Sequence, residues 1–113
     1  MYCNAASFNG DISQWDVSSV TNMEGMFAQA RNFNADISKW DVSNVKNMYR
    51  MFRLTHKFNI DLSDWDTSNV RSMEAMFLDA SSFNVDLSFW NIRNVISMKR
   101  MFSNAVSLVQ NIC

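Results

Sequence analysis

Residues 8–32 read FNGDISQWDVSSVTNMEGMFAQARN, and the same stretch returns with a shift of 25 residues to the end of the chain. Trp15, Trp40, Trp65 and Trp90 are all the Trp present. Phe8, Phe33, Phe58 and Phe83 keep the period, and so do Phe27, Phe52, Phe77 and Phe102. Met23, Met48, Met73 and Met98 repeat, as do Met26, Met51, Met76 and Met101. Asn9, Asn34, Asn59 and Asn84 follow the rule, together with Asp11, Asp36, Asp61 and Asp86. Self-similarity at a period of this size is the signature of a repeat architecture, in which one unit cannot bury its apolar face alone.

The array divides into a partial repeat at 1–7, full repeats at 8–32, 33–57, 58–82 and 83–107, and a partial repeat at 108–113, all one domain. Met1-Tyr2 falls in the slot of Met26-Phe27, and Leu108 takes a Phe slot. Neither end carries a polar capping unit of the kind isolated solenoids need. A fragment of a longer array is therefore expected.

Two periods lie inside each unit. Ile12, Trp15 and Val17 form a short extended pattern that predicts a strand, with Asp16 on the opposite face. Val20, Met23, Met26, Phe27 and Ala30 are spaced by three and four, which predicts a helix. Ser19, Asn44, Asn69 and Asn94 stand before that stretch as N-caps. The Ile12-x-x-Trp15-x-Val17-x-x-Val20 segment fits leucine-rich-repeat spacing. The fold class expected is therefore α/β: a leucine-rich-repeat-like solenoid of 25-residue strand-turn-helix repeats with a short-stranded parallel sheet. The Trp, Met and Phe would form ladders inside it. Asn9, Asn34, Asn59 and Asn84 read as turn ladders, since Asn bonds backbone groups that turns leave free. The Asp11 column admits a calcium reading through its carboxylates, but turn bonding is the simpler account.

The strings DISQWDVSSVTNMEGMF, DISKWDVSNVKNMYRMF and DLSDWDTSNVRSMEAMF resemble the repeats of BspA-like leucine-rich-repeat surface proteins. The resemblance spans essentially the whole chain. It implies an array domain at a cell surface or outside the cell, of a kind linked with adhesion to host proteins or to other cells. The chain departs from the family string at Gly10, Ala35, Ile60 and Val85, and at Asn91 and Arg93 of the fourth repeat. Lys46, Arg50, Arg53, Arg71, Lys99 and Arg100 make the helical stretches of the second, third and fourth units more basic than the family string.

Composition narrows the function classes. Net charge is −1 over 113 residues, which gives no basic field for a nucleic-acid backbone. No apolar run reaches the ~18 residues of a membrane span, and no signal peptide is written at the N-terminus. His56 is the sole His and sits in a loop slot, without a nucleophile pattern around it. The carboxylates recur in every repeat, whereas catalysis needs one unique constellation. With two Gly there is no phosphate-cradling loop, and no Cys/His metal spacing exists. No enzyme, cofactor or metal is expected. Cys3 and Cys113 lie about four repeats apart, roughly 20 Å at strand spacing, too far for an internal disulfide. Free thiols or intermolecular pairing remain.

Partner recognition is expected on the outward positions of the extended segments. These are Gln14, Asp16 and Ser18, then Lys39, Asp41 and Ser43, then Asp64, Asp66 and Ser68, then Phe89, Asn91 and Arg93. They vary over a constant Trp, as a reading surface over a fixed core would. Phe89 reads equally as an anchor for a partner or as a residue covered by the next repeat or a cap. The expected function is a non-catalytic module for protein–protein interaction or adhesion, binding a host or neighbouring surface protein. The alternative is a structural element of a shell, filament or spacer stalk, whose partners are other copies of the array.

Overall fold

Each 25-residue unit closes on itself through tight turns, and the computed structural model describes them over residues 10–107. Asp and Ser two apart start the process. Asp11 Oδ1 accepts the Ser13 N–H at 3.0 Å and its hydroxyl at 2.8 Å. Asp16 does the same for Ser18, at 3.0 and 2.6 Å. These Asx turns bend the backbone twice within a few residues. Each is followed by a backbone turn, from the Trp15 N–H to the Ile12 carbonyl and from the Val20 N–H to the Val17 carbonyl. The pattern recurs at Asp36–Ser38, Asp41–Ser43, Asp61–Ser63, Asp66–Ser68 and Asp86–Ser88. In the fourth unit Asn91 takes the role of Asp, accepting the Arg93 N–H at 3.0 Å.

The second half of the unit alternates its hydrogen bonds. The Met26, Ala28 and Ala30 N–H groups bond three residues back, to Met23, Gly25 and Phe27. The Met23, Gly25, Phe27 and Gln29 N–H groups point sideways instead. They bond the carbonyls of Asn47, Tyr49, Met51 and Arg53 in the next coil, at 2.7–3.0 Å. The backbone reaches this alternation by placing Gly25 and Gln29 at φ 62° and 65°. Arg50, Leu54, Ala75, Asp79, Arg100 and Asn104 repeat the left-handed conformation at the matching positions. A non-Gly residue there costs about 1–2 kcal/mol, so the coil-to-coil bonds and the packing must outweigh it.

Successive coils therefore stack in parallel with a 25-residue offset. Asn22, Asn47, Ser72 and Ser97 form single parallel bridges from one coil to the next. Side chains add their own columns. The Asn44, Asn69 and Asn94 Nδ2 groups each donate to a carbonyl of the preceding coil at 2.7 Å, those of Ser18, Ser43 and Ser68. Asn34 Oδ1 accepts the Asn59 N–H, and Asn59 Oδ1 accepts the Asn84 N–H.

The strand-turn-helix unit expected from the spacing is corrected by this geometry. Among the described residues there is no helix and no strand beyond the single bridges. The chain is a compact stack of turns, with a radius of gyration of 12.6 Å, and not an α/β leucine-rich-repeat solenoid with a parallel sheet. The bridges sit at Asn22 and its equivalents and not at 12–17. The helical spacing misled for a physical reason. A run of turns bonded three residues back also returns side chains to one face every third residue, as a helix does. Asn44, Asn69 and Asn94 consequently cap no helix and join coils instead. Cys3 and Cys113 lie outside the described residues.

The core is a set of continuous ladders. Phe27, Phe52 and Phe77 are fully buried, and so are Phe33, Phe58 and Phe83. Within each coil the two rings stack with centroids 4.0–4.2 Å apart, as for Phe27–Phe33 and Phe52–Phe58. Between coils the same ring recurs at 5.4–6.0 Å. Trp40, Trp65 and Trp90 close the side of the stack, each donating its indole N–H to a carbonyl 28 residues earlier. Met23, Met48 and Met73 fill the remaining interior. Each such side chain contributes about 1.5–3 kcal/mol through burial.

Candidate functional site

The stack turns repeat positions into surface columns. Gln14, Lys39, Asp64 and Phe89 form one column and are all exposed, Phe89 at 87%. Asp16, Asp41, Asp66 and Asn91 form a second exposed column, and Ser18, Ser43, Ser68 and Arg93 a third that is half-buried until Arg93. The columns arise from consecutive turns and not from the outer face of a sheet. Of the three, the first is the freest to vary. The second and third are committed to each other through the Asx turns, in which the Ser43 hydroxyl meets Asp41 at 2.5 Å.

Those turns also set the charge state. The Ser18 hydroxyl, with the Ser18 N–H behind it, holds the Asp16 carboxyl below its ordinary value. Asp41 and Asp66 are lowered in the same way by Ser43 and Ser68, against smaller opposing pushes from desolvation and then from the neighbouring carboxylate in the column. For Asp11, Asp61 and Asp86 the backbone N–H two residues on is the larger cause. These carboxylates are thus turn acceptors, the simpler account of the Asp11 column. Among the described residues no three of His, Cys, Asp and Glu converge on one point. His56 is half-buried, and its carbonyl accepts the Ser81 hydroxyl at 3.5 Å.

Phe89 stands beside a shallow groove formed by Asn59, Asp61, Ser63, Asn84 and Asp86. A second groove went unread in the sequence. Glu24, Gly25, Ala28 and Gln29 of the first coil face Tyr49, Arg50 and Arg53 of the second. Gly25 and Ala28 stand in the columns of Arg50 and Arg53, and that loss of side chain was its available signal. No helix of the described residues is long and apolar enough to cross a membrane.

The ladders and the coil-to-coil bonds define a class: a repeat protein of stacked, turn-built coils with a constant interior and a variable surface. The chain belongs to the family described as "Mycoplasma protein of unknown function, DUF285", whose model matches residues 1–113. No curated protein and no solved structure matches it.

Proposed function

We propose that the chain is a non-catalytic module that binds another protein through the column of Gln14, Lys39, Asp64 and Phe89. The observation carrying this reading is Phe89. It is 87% exposed in a column whose other members are polar or charged, while the Trp next to it in the chain stays buried in the second, third and fourth coils. Keeping a large aromatic in water has no folding benefit, and exposed aromatics are frequent anchors at interfaces. Placement at a cell surface, with adhesion as the outcome, is supported by the likeness of the repeat string to BspA-like surface proteins. The leucine-rich-repeat fold attached to that likeness is not carried over.

The test is retention of cultured host cells on the immobilised chain, compared with Phe89→Asp. Retention by the parent and its loss in the variant is the expected result. Equal retention by both, or by neither, would overturn the reading. Light scattering across a concentration series runs alongside. Concentration-dependent oligomers without cell retention would favour an assembly element built from copies of the array.

A further inference from the structure

We infer that the stack associates side by side with a second copy of itself, the acidic wall of one resting on the basic wall of the next.

Each coil closes round the Phe and Met ladders, so its two halves face outward in different directions. Charge divides between those two walls. Residues 10–19 and their equivalents in the other coils carry eight Asp against Lys39 and Arg93, a net charge of −6. Residues 20–34 and their equivalents carry eight Lys and Arg against Glu24, Glu74 and Asp79, a net charge of +5. All eight Asp are exposed, and so are seven of the eight cations, Arg53 being half-buried. The Ser donors of the turns hold Asp16, Asp41 and Asp66 ionised. The charges that act on these carboxylates come from their own wall: Asp36 acts on Asp11, Lys39 on Asp36 and Asp16 on Asp41. Each wall thus keeps its own sign.

The occupant follows from balance and spacing. The net charge of the whole chain is only −1, so copies do not repel one another as wholes. A strongly charged partner would cover one wall and leave the other bare, whereas a second copy offers each wall its complement. The two walls also share one rise, because every column advances by one coil, with like rings 5.4–6.0 Å apart. Lys46 and Arg71, exposed on successive coils, therefore stand at the same spacing as Asp41 and Asp66. One exposed ion pair contributes little, but several brought into register together fix orientation and partner. The contact joins two different walls, so further copies add on either side. It needs no part of Phe89 and is read as mass and not as cell retention, so it and partner binding through Phe89 fail independently.

The experiment is light scattering of the full chain over a concentration series at about 10 mM and about 1 M salt, between which the screening length falls from about 30 to about 3 Å. A mass that rises above 13.1 kDa with concentration at low salt, and returns to that value at high salt, is the expected result. Lys46→Glu with Arg71→Glu takes the basic wall from +5 to +1, and Gln14→Lys with Asp64→Lys takes the acidic wall from −6 to −3. All four side chains are exposed, and melting curves confirm that the variants fold. Each double variant alone is expected to associate about tenfold or more weakly than the parent. Their equimolar mixture is expected to form a one-to-one pair, because one keeps the acidic wall and the other the basic wall. Phe89→Asp is expected to associate as the parent does. A monomeric parent at low salt, oligomers that persist at high salt, a mixture no heavier than the separate variants, or loss of association in Phe89→Asp would each overturn the assignment.

Discussion

The Trp65 indole N–H donates to the Ile37 carbonyl at 3.1 Å, a bond that spans 28 residues and joins two adjacent coils. Trp40 and Trp90 repeat it with Ile12 and Leu62. The Trp65 and Trp90 rings stack with centroids 6.4 Å apart and planes within 5°. One residue therefore supplies apolar area, ring stacking and the cap for a carbonyl. Trp65→Phe keeps most of the area but strands the buried Ile37 carbonyl. A loss of about 1–3 kcal/mol is expected, the cost of an unpaired buried acceptor. Urea denaturation measures it, and a loss below that range would mean that the carbonyl finds water.

Phe52 stands between the equivalent rings of the coils before and after it. It stacks on Phe27, Phe58 and Phe77 and tilts against Trp65, with no exposed area. Phe52→Ala is expected to cost about 3–5 kcal/mol, the range for a buried aromatic. Phe102 is half-buried, and truncating it is expected to cost distinctly less. Equal losses at the two sites, read from denaturation midpoints, would contradict a ladder that is tightest at its centre.

Core membership was legible in the residues, and local backbone form was not. The Trp, Phe and Met columns named the interior, but not its limits: Trp15 and Met98, in the first and fourth coils, share the type and period of buried residues and are 43% and 38% exposed. The Asp-x-Ser pairs at Asp11–Ser13 and Asp16–Ser18 were visible Asx-turn signals, yet alternation around Trp15 made the same stretch look extended. The left-handed positions were legible only in part: Gly25, Asp79 and Asn104 favour φ near 60°, whereas Gln29, Arg50 and Leu54 do not. Their conformation is imposed by the neighbouring coil, which takes every second N–H. The groove beside Tyr49 was legible only in part: Gly25 and Ala28 are smaller than Arg50 and Arg53, their equivalents in the next coil, but only the stacking shows that the two sets line one groove.

The turn and helix readings of the second half predict opposite signs for one substitution. Arg100 is exposed and sits at φ 60°. In a helix, Arg→Gly would cost roughly 1 kcal/mol. In a left-handed turn, Gly removes a strain of about 1–2 kcal/mol and gives back part of it as unfolded-chain entropy. Arg100→Gly is therefore expected to raise stability by about 0.5–1 kcal/mol. A calorimetric melting point that falls in this variant would contradict the turn geometry.

Acid should loosen the stack through its turn carboxylates. Asp11, Asp16, Asp36, Asp41, Asp61, Asp66 and Asp86 are all held below the ordinary value by Ser N–H and hydroxyl donors. A carboxyl lowered in the folded chain takes up its proton at lower pH than in the unfolded chain. The stability it contributes is fully present above the unfolded value of 3.8 and is lost as pH falls through the lower folded value. The melting temperature is expected to stay level from neutral pH down to about 5 and to drop below about 4. Replacing Asp36 and Asp41 with Asn keeps an acceptor in each turn, as Asn91 already does, and removes two of the titrating groups. That double variant is expected to lose less stability on acidification than the parent, measured by circular dichroism melts across the same pH series. An identical acid profile in both chains would show that these turns do not govern the transition.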